Sequence, residues 1–328
     1  MSRRCLAVHP GALGDVLLAG AALAHLSALG YRPTLAVTSR LVPLFEASGS
    51  VDAVVDLEGL GLHRLFMESP DRRALQDLES FDAVVCWMGA GDATFRSNLA
   101  RIGRPNVVAR AAPPAGAGVH VSRHLVESLA LLGPLSEDVP AAPFRVAETA
   151  RAKAGEWLVA RGISAGDAIV LQPGAGSPVK VWPGFVALAR RLRDTGRPLV
   201  ALAGPADHAV VRSLLDAGVV RDDSVARDWT LPEIAALLGH ARAAVGNDSG
   251  PTHLAAAVGC PTVAIFGPTD PAVWAPVGAH VAAIDGHADG AAWPGLERVE
   301  AALGALLARS AGDAPREPAH AGAEGRWR

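Results

Sequence analysis

Cysteine is scarce in this chain. Cys5, Cys86 and Cys260 are the three in 328 residues, and they lie far apart. That excludes a disulfide scaffold and a cysteine-based zinc site, and it suits a reducing compartment. Aromatics make up 5%, too few for the stacking platforms of a single-strand nucleic-acid binder. The formal net charge is −3, so no basic field draws nucleic acid. No run of about 18 uncharged apolar residues occurs, and no membrane span is expected. Arg3 and Arg4, followed by apolar and small residues, imitate a signal peptide. Asp15 and His9-Pro10-Gly11 interrupt that stretch. The expectation is no signal peptide and a cytoplasmic protein.

Several chemical signatures are missing too. No two aspartates stand one residue apart, so there is no Asp-x-Asp metal clamp. There is no Gly-x-Ser-x-Gly elbow, no Walker ending and no Gly-x-Gly-x-x-Gly fingerprint. Histidines such as His63 and His240 show no metal-ligand spacing and read as surface or core residues. No metal and no cofactor are expected.

What is present is a folded composition, 50% hydrophobic and 19% charged. Short apolar runs alternate with helical stretches. Strands are expected at Cys5–His9, Leu35–Val37, Ala53–Val55 and Ala83–Trp87, and again at Ala168–Gln172, Leu199–Leu202, Ala243–Val245 and Thr262–Ile265. Helices are expected at about 15–29, 41–48, 72–78, 119–132 and 148–161. This alternation predicts α/β architecture with parallel sheets covered on both faces. Two segments start alike: His9-Pro10-Gly11-Ala12 and Gln172-Pro173-Gly174-Ala175. Each is a strand ending in a polar residue, then Pro-Gly-Ala. The repetition suggests two similarly built halves of about 150 residues. The Pro-rich, acidic stretch Pro134–Pro143 approaches a boundary. The domains are set at 1–147 and 148–310, with 311–328 as a disordered tail.

Three segments carry the candidate chemistry. In Val245-Gly246-Asn247-Asp248-Ser249-Gly250-Pro251-Thr252-His253, a strand ends and a helix begins with Pro at its first position. Asp248 or Ser249 can cap it, and its N-terminus suits an anion. A plain capped helix is an equal reading. In Gly174-Ala175-Gly176-Ser177-Pro178-Val179-Lys180, backbone N–H groups and one lysine can face a phosphate, or the lysine is simply solvated. In Gly11-Ala12-Leu13-Gly14-Asp15, the aspartate is either a helix cap or a carboxylate facing a cleft that accepts a proton. Arg96, Arg101 and Arg104 read first as a solvated basic helix face and second as a hold for an anionic acceptor.

Four motifs stand in the order and spacing of one family. They are Gly14-Asp15-Val16-Leu17-Leu18, Lys180-Val181-Trp182-Pro183, Asp248-Ser249-Gly250-Pro251-Thr252-His253-Leu254-Ala255-Ala256-Ala257 and Phe266-Gly267-Pro268-Thr269-Asp270-Pro271. Over residues 4–310 the chain resembles the family 9 glycosyltransferases, whose best-known members are lipopolysaccharide heptosyltransferases. The resemblance implies a GT-B fold, two Rossmann-like domains facing each other across a cleft. The nucleotide sugar, ADP-heptose among the options, would bind the C-terminal domain. A glycan or glycolipid acceptor would bind the N-terminal one, with peripheral contact at the inner face of the membrane through a lipid-linked acceptor. Transfer would invert the sugar and need no metal.

Carried over, Asp15 resembles the catalytic base and Lys180 the phosphate-contacting lysine. Asp248 resembles a donor-sugar contact, and Ser249, Gly250, Thr252 and His253 the diphosphate turn. Gly174 and Ser177 join the donor site, while Gly14 and Arg96 are assigned to the acceptor. Where relatives carry a Glu for the nucleotide ribose, this chain offers His208, preceded by Asp207. Two rival functions share these features, a nucleotide-sugar epimerase and a non-catalytic nucleotide-sugar-binding protein.

Overall fold

A computed structural model describes residues 3–69, 72–135, 144–204, 207–287 and 290–312, with backbone alone at 72–74 and 310–312. It contains two separate parallel sheets. The first is built from β1 (Arg3–Val8), β2 (Tyr31–Val37), β3 (Ala53–Asp56), β4 (Ala83–Cys86) and β5 (Asn106–Val108). The second holds β6 (Ile169–Gln172), β7 (Leu199–Ala203), β8 (Val225–Arg227), β9 (Ala243–Asn247), β10 (Thr262–Ile265) and β11 (Val281–Ile284). Their orders are β3-β2-β1-β4-β5 and β11-β10-β9-β6-β7-β8. Each sheet reverses its winding once, between β1 and β4 and between β6 and β9. In doubly wound sheets ligands bind outside the carboxyl ends of the strands at such a reversal.

The inner strands are short apolar runs because both of their faces are covered. Ala83-Val84-Val85-Cys86 and Ile169-Val170-Leu171-Gln172 are buried throughout. β5, β8 and β11 escaped the sequence reading because they are short or border an edge. The helix expected at 15–29 is two helices, Leu13–Leu18 and Gly20–Ala28, sharing Ala19. Ala19 N–H divides its bond between Asp15 and Val16 carbonyls, so the turn tightens there. The helix expected at 119–132 is Val121–Glu127 followed by a 3₁₀ turn, Ser128–Leu131. The final helix, Leu296–Gly312, runs two residues into the expected tail, and the rest of that tail lies outside the described residues. So does most of the Pro134–Pro143 stretch.

One apolar core runs through both halves. Cys5, Ala7 and Leu35 of the first sheet share it with Val170 and Ala244 of the second, and with Leu254 and Ala255 between them. Burying a side chain such as Leu254 contributes about 1.5–3 kcal/mol. Among the described residues, no helix is long and apolar enough to cross a membrane.

Candidate functional site

The end of β1 shapes the first half of the site. His9 follows the strand and is fully buried. Its backbone N–H continues the ladder to Ala36, and its Nδ1 accepts the Gly11 N–H at 3.2 Å. That bond requires Nδ1 to be unprotonated, so a neutral ring carries its proton on Nε2. Burial pushes His9 down to about 4, although Asp15 nearby pulls the other way. His9 is thus neutral at neutral pH. The ring lies 5.7 Å from that of Trp87, at the end of β4. A side chain on Gly11 would meet His9 Cε1 and Asp15 Cβ, each at 2.7 Å. Only glycine lets these two residues approach across the turn.

Asp15 is not the helix cap that the sequence reading allowed. It occupies the third helical position of Leu13–Leu18, behind Ala12. Its Oδ2 reaches back to accept the Ala12 N–H at 2.9 Å. Ala12 has no side-chain acceptor, so this is half of a capping box. Asp15 is half-buried, and its Oδ1 has no protein partner among the described residues.

The end of β6 and the end of β9 shape the second half. Asn247, fully buried, donates from Nδ2 to the carbonyls of Pro173 and Gly174 at 2.8 and 3.0 Å. Its Oδ1 accepts the Trp182 N–H at 2.9 Å. One amide therefore fastens both ends of the loop that carries Lys180. Lys180 Nζ donates to Asp248 Oδ2 at 2.7 Å, and so does Thr269 Oγ1, also at 2.7 Å. His253 Nε2 stands 3.5 Å from Asp248 Oδ1. Burial pushes the Asp248 carboxyl up, but His253, Lys180 and Thr269 together outweigh it and hold the group at about 2.

The helix Gly250–Ala257 begins one residue earlier than expected, so Pro251 is its second residue and not its first. Ser249 holds the cap position without a side-chain cap bond; its hydroxyl meets that of Thr252 at 3.1 Å. Thr252 Oγ1 donates to the Asn247 carbonyl at 2.6 Å, and the N–H groups of Thr252 and His253 both turn to the Ser249 carbonyl. Among the described residues, the N–H groups of Ser249 and Gly250 have no protein partner. They are what this helix start offers an anion, together with the dipole.

The two halves of the site meet where these helices cross. A Cβ on Gly250 would lie 3.0 Å from Leu13 Cβ, and one on Gly14 would lie 3.2 Å from the His253 ring. Asp15 and the Ser249 turn thus sit at one helix–helix contact. Beside it, at the ends of β4 and β5, is a cleft of about 440 Å³. It is lined by Trp87, the Gly89–Gly91 loop and residues 109–113, including Arg110.

The sequence model described as "Glycosyltransferase family 9 (heptosyltransferase)" matches residues 117–293. This chain belongs to glycosyltransferase family 9. Lipopolysaccharide heptosyltransferase 3 of Escherichia coli is 35% identical over 113 residues, 33% of this chain and 33% of that protein. Lipopolysaccharide heptosyltransferase 2 of E. coli K12 is 34% identical over 106 residues, 30% of each chain. The matched region thus spans about a third of these curated relatives. In structure the chain is similar to a family 9 glycosyl transferase from Veillonella parvula DSM 2008, with TM-score 0.74, 21% identity and 94% and 98% of the two chains covered. It is also similar to E. coli ADP-heptose LPS heptosyltransferase II, with TM-score 0.70, 19% identity and 94% and 100% covered. The fold is GT-B, as the motifs implied.

Within this family 9 chain, the assigned residues divide. Lys180, Asp248, Thr252, His253 and the Ser249-Gly250 turn converge on one network. Gly174 belongs with them through Asn247, and Ser177 heads the Pro178–Lys180 turn. Gly14 serves the helix crossing. Arg96 is exposed and donates to the Ala90 carbonyl, bracing the rim of the cleft. His208 is exposed at the first position of its helix, and its buried neighbour Asp207 lies against the Gly174 turn. Asp207 is buried, its Oδ2 accepts the Gly204 N–H at 2.8 Å, and a Cβ on Gly174 would overlap its Oδ1. Asn247, Thr269 and Asp207 carried no assigned role in the sequence reading. All three are small polar residues at or shortly after strand ends, and that position was the available signal.

Proposed function

We propose that this chain is an inverting glycosyltransferase that moves a heptose or related sugar from a nucleoside-diphosphate donor to a glycan or glycolipid hydroxyl. The carrying observation is the crossing of the two helices, which brings the Asp15 turn against the Ser249 turn and the Lys180–Asp248 pair. Domain 1–147 takes the acceptor in the cleft at the ends of β4 and β5. Domain 148–310 takes the donor. The acceptor oxygen attacks the anomeric carbon, and its proton passes to Asp15. The bond to the diphosphate breaks, and the leaving group takes the electron pair. Lys180 and the N–H groups of Ser249 and Gly250 stabilise that growing charge. Lys180 starts paired with Asp248, so the donor shares the lysine with this carboxylate. A lipid-linked acceptor would bring the protein to the inner face of the membrane.

Solved structures of E. coli ADP-heptose LPS heptosyltransferase II and of an E. coli heptosyltransferase with ADP support an adenine-nucleotide donor. The test is a thermal-shift screen of ADP-, UDP-, GDP- and dTDP-sugars, followed by mass detection of transfer. Stabilisation by mass action should single out the donor. No shift with any nucleotide sugar at saturating concentration would overturn the reading. A binding protein would show the shift but lose nothing when Asp15 is replaced. No observation favours an epimerase.

A further inference from the structure

Four observations meet at His9. The residue is wholly buried at the reversal point of the first sheet. Its Nδ1 fixes the Gly11 N–H. Its ring flanks the bare Cα of Gly11 on the side where Asp15 Cβ and Oδ2 lie, so that position has no room for a methyl group. Its other nitrogen, Nε2, is buried without a partner.

We propose that His9 is a positioning residue for Asp15, holding the Gly11 turn so that one carboxylate oxygen is bound to Ala12 and the other stays free, with no cation beside it. The inference rests on the assignment of Asp15 as base. Its logic is electrostatic as well as geometric. A cation next to a carboxylate favours the ionised form and weakens it as a proton acceptor. A neutral imidazole supplies the acceptor that the Gly11 N–H needs without that penalty. Burial keeps the ring neutral at neutral pH, with His9 held at about 4. The elements packed against the Asp15 helix add His25, buried in Gly20–Ala28, and His253, whose ring rests on Gly14. Neither element carries a lysine or arginine. These two helices therefore bring no permanent positive charge toward Asp15.

The test compares His9→Asn, His9→Leu and His9→Lys with the parent in the full chain. Asn places an amide oxygen where Nδ1 stands, Leu removes the acceptor, and Lys adds the charge. His9→Leu should lower kcat by up to about 10²-fold, as misplacement of a reacting group does, with donor KM unchanged. His9→Asn should restore most of it. In carbon-detected NMR, the Asp15 carboxyl titration should move to lower pH in His9→Lys, and its resonance should stay near the parental position in His9→Asn. Parental kcat in His9→Leu, with an unmoved Asp15 resonance in all three variants, would overturn the proposal. If Lys prevents folding, the Leu and Asn pair decides. The carboxyl resonance reads the His9–Asp15 coupling even if Asp15→Asn proves fully active. Failure of the base assignment is thus distinguishable from failure of this one.

Discussion

At the end of β1, Pro10-Gly11-Ala12 leads to a carboxylate with no ion pair among the described residues. At the end of β6, Pro173-Gly174-Ala175 leads to a lysine already bound to an aspartate. Both turns begin with a buried polar residue that fastens them. His9 accepts from the Gly11 N–H, whereas Gln172 Nε2 donates to the Gly174 carbonyl at 3.4 Å. Each glycine is pressed by a carboxylate, Asp15 in one case and Asp207 in the other. The same local frame has thus been given opposite electrostatics. One turn keeps an uncompensated negative group near the crossing, and the other assembles donors and a positive group. A glycosyl transfer needs both, a proton acceptor on one side and charge stabilisation on the other.

The comparison breaks most sharply at Asp15. Asp15→Asn should cut turnover by a factor of roughly 10²–10⁴ while donor affinity, read by calorimetry, holds. The Asn oxygen can still accept the Ala12 N–H, so thermal stability should change little. Normal turnover in this variant would make the first turn merely structural. Next in size is Lys180→Ala. It strips a charged partner from Asp248, which is 9% exposed, while the lysine is 32% exposed. Loss of a charge-assisted bond costs about 1.5–3 kcal/mol, toward the low end because water screens the lysine. Denaturant melts and nucleoside-diphosphate affinity should both register it. Unchanged values in both would separate Lys180 from the site.

Acid sharpens the contrast further. His9 has a folded value below its ordinary 6.5, so the unfolded chain binds the extra proton between about 6.5 and 4. Stability should fall across that window, by at most about 1.4 kcal/mol per pH unit from this group. His9→Asn should flatten this limb. Asp248 is depressed from 3.8 to about 2, and its contribution is present above the higher value and lost as pH drops through the lower. Lys180→Ala should shrink that second limb and leave the first alone. The smallest expected effect is none: if Lys180 and the Ser249 turn take the place of a metal, EDTA should leave transfer unchanged. Loss restored by added Mg²⁺ would contradict that assignment.

Much of this was legible in the chain. Apolar runs and Pro-Gly-Ala starts marked β1 and β6, because doubly buried strands must be apolar and tight turns need such residues. The Asp248 and Lys180 segments were recognisable by motif. Their mutual bond was not, because 68 residues separate them and only the β6–β9 pairing brings them together. Asn247 was invisible as a staple for the same reason, since its partners lie on another strand's loop. That Asp207 is the buried member of the Asp207-His208 pair was not legible, because spacing cannot tell which neighbour points inward at a helix start. His9 looked like an ordinary strand end, and its meaning appears only with Gly11 and Asp15 in view.

The apolar core shared by Leu254, Ala255, Cys5 and Val170 has a consequence for heredity. Halves joined only by a linker can be exchanged between relatives like separate parts. Here the helix carrying Asp15 is fitted to the helix carrying His253, glycine against side chain in both directions. A chimera that imports a foreign C-terminal half inherits a mismatched seam at Leu13 and Gly250, at the point where chemistry is expected. New specificities in such a chain should therefore arise by changes in the peripheral loops, such as residues 109–113 at the cleft, while the seam is inherited as one piece.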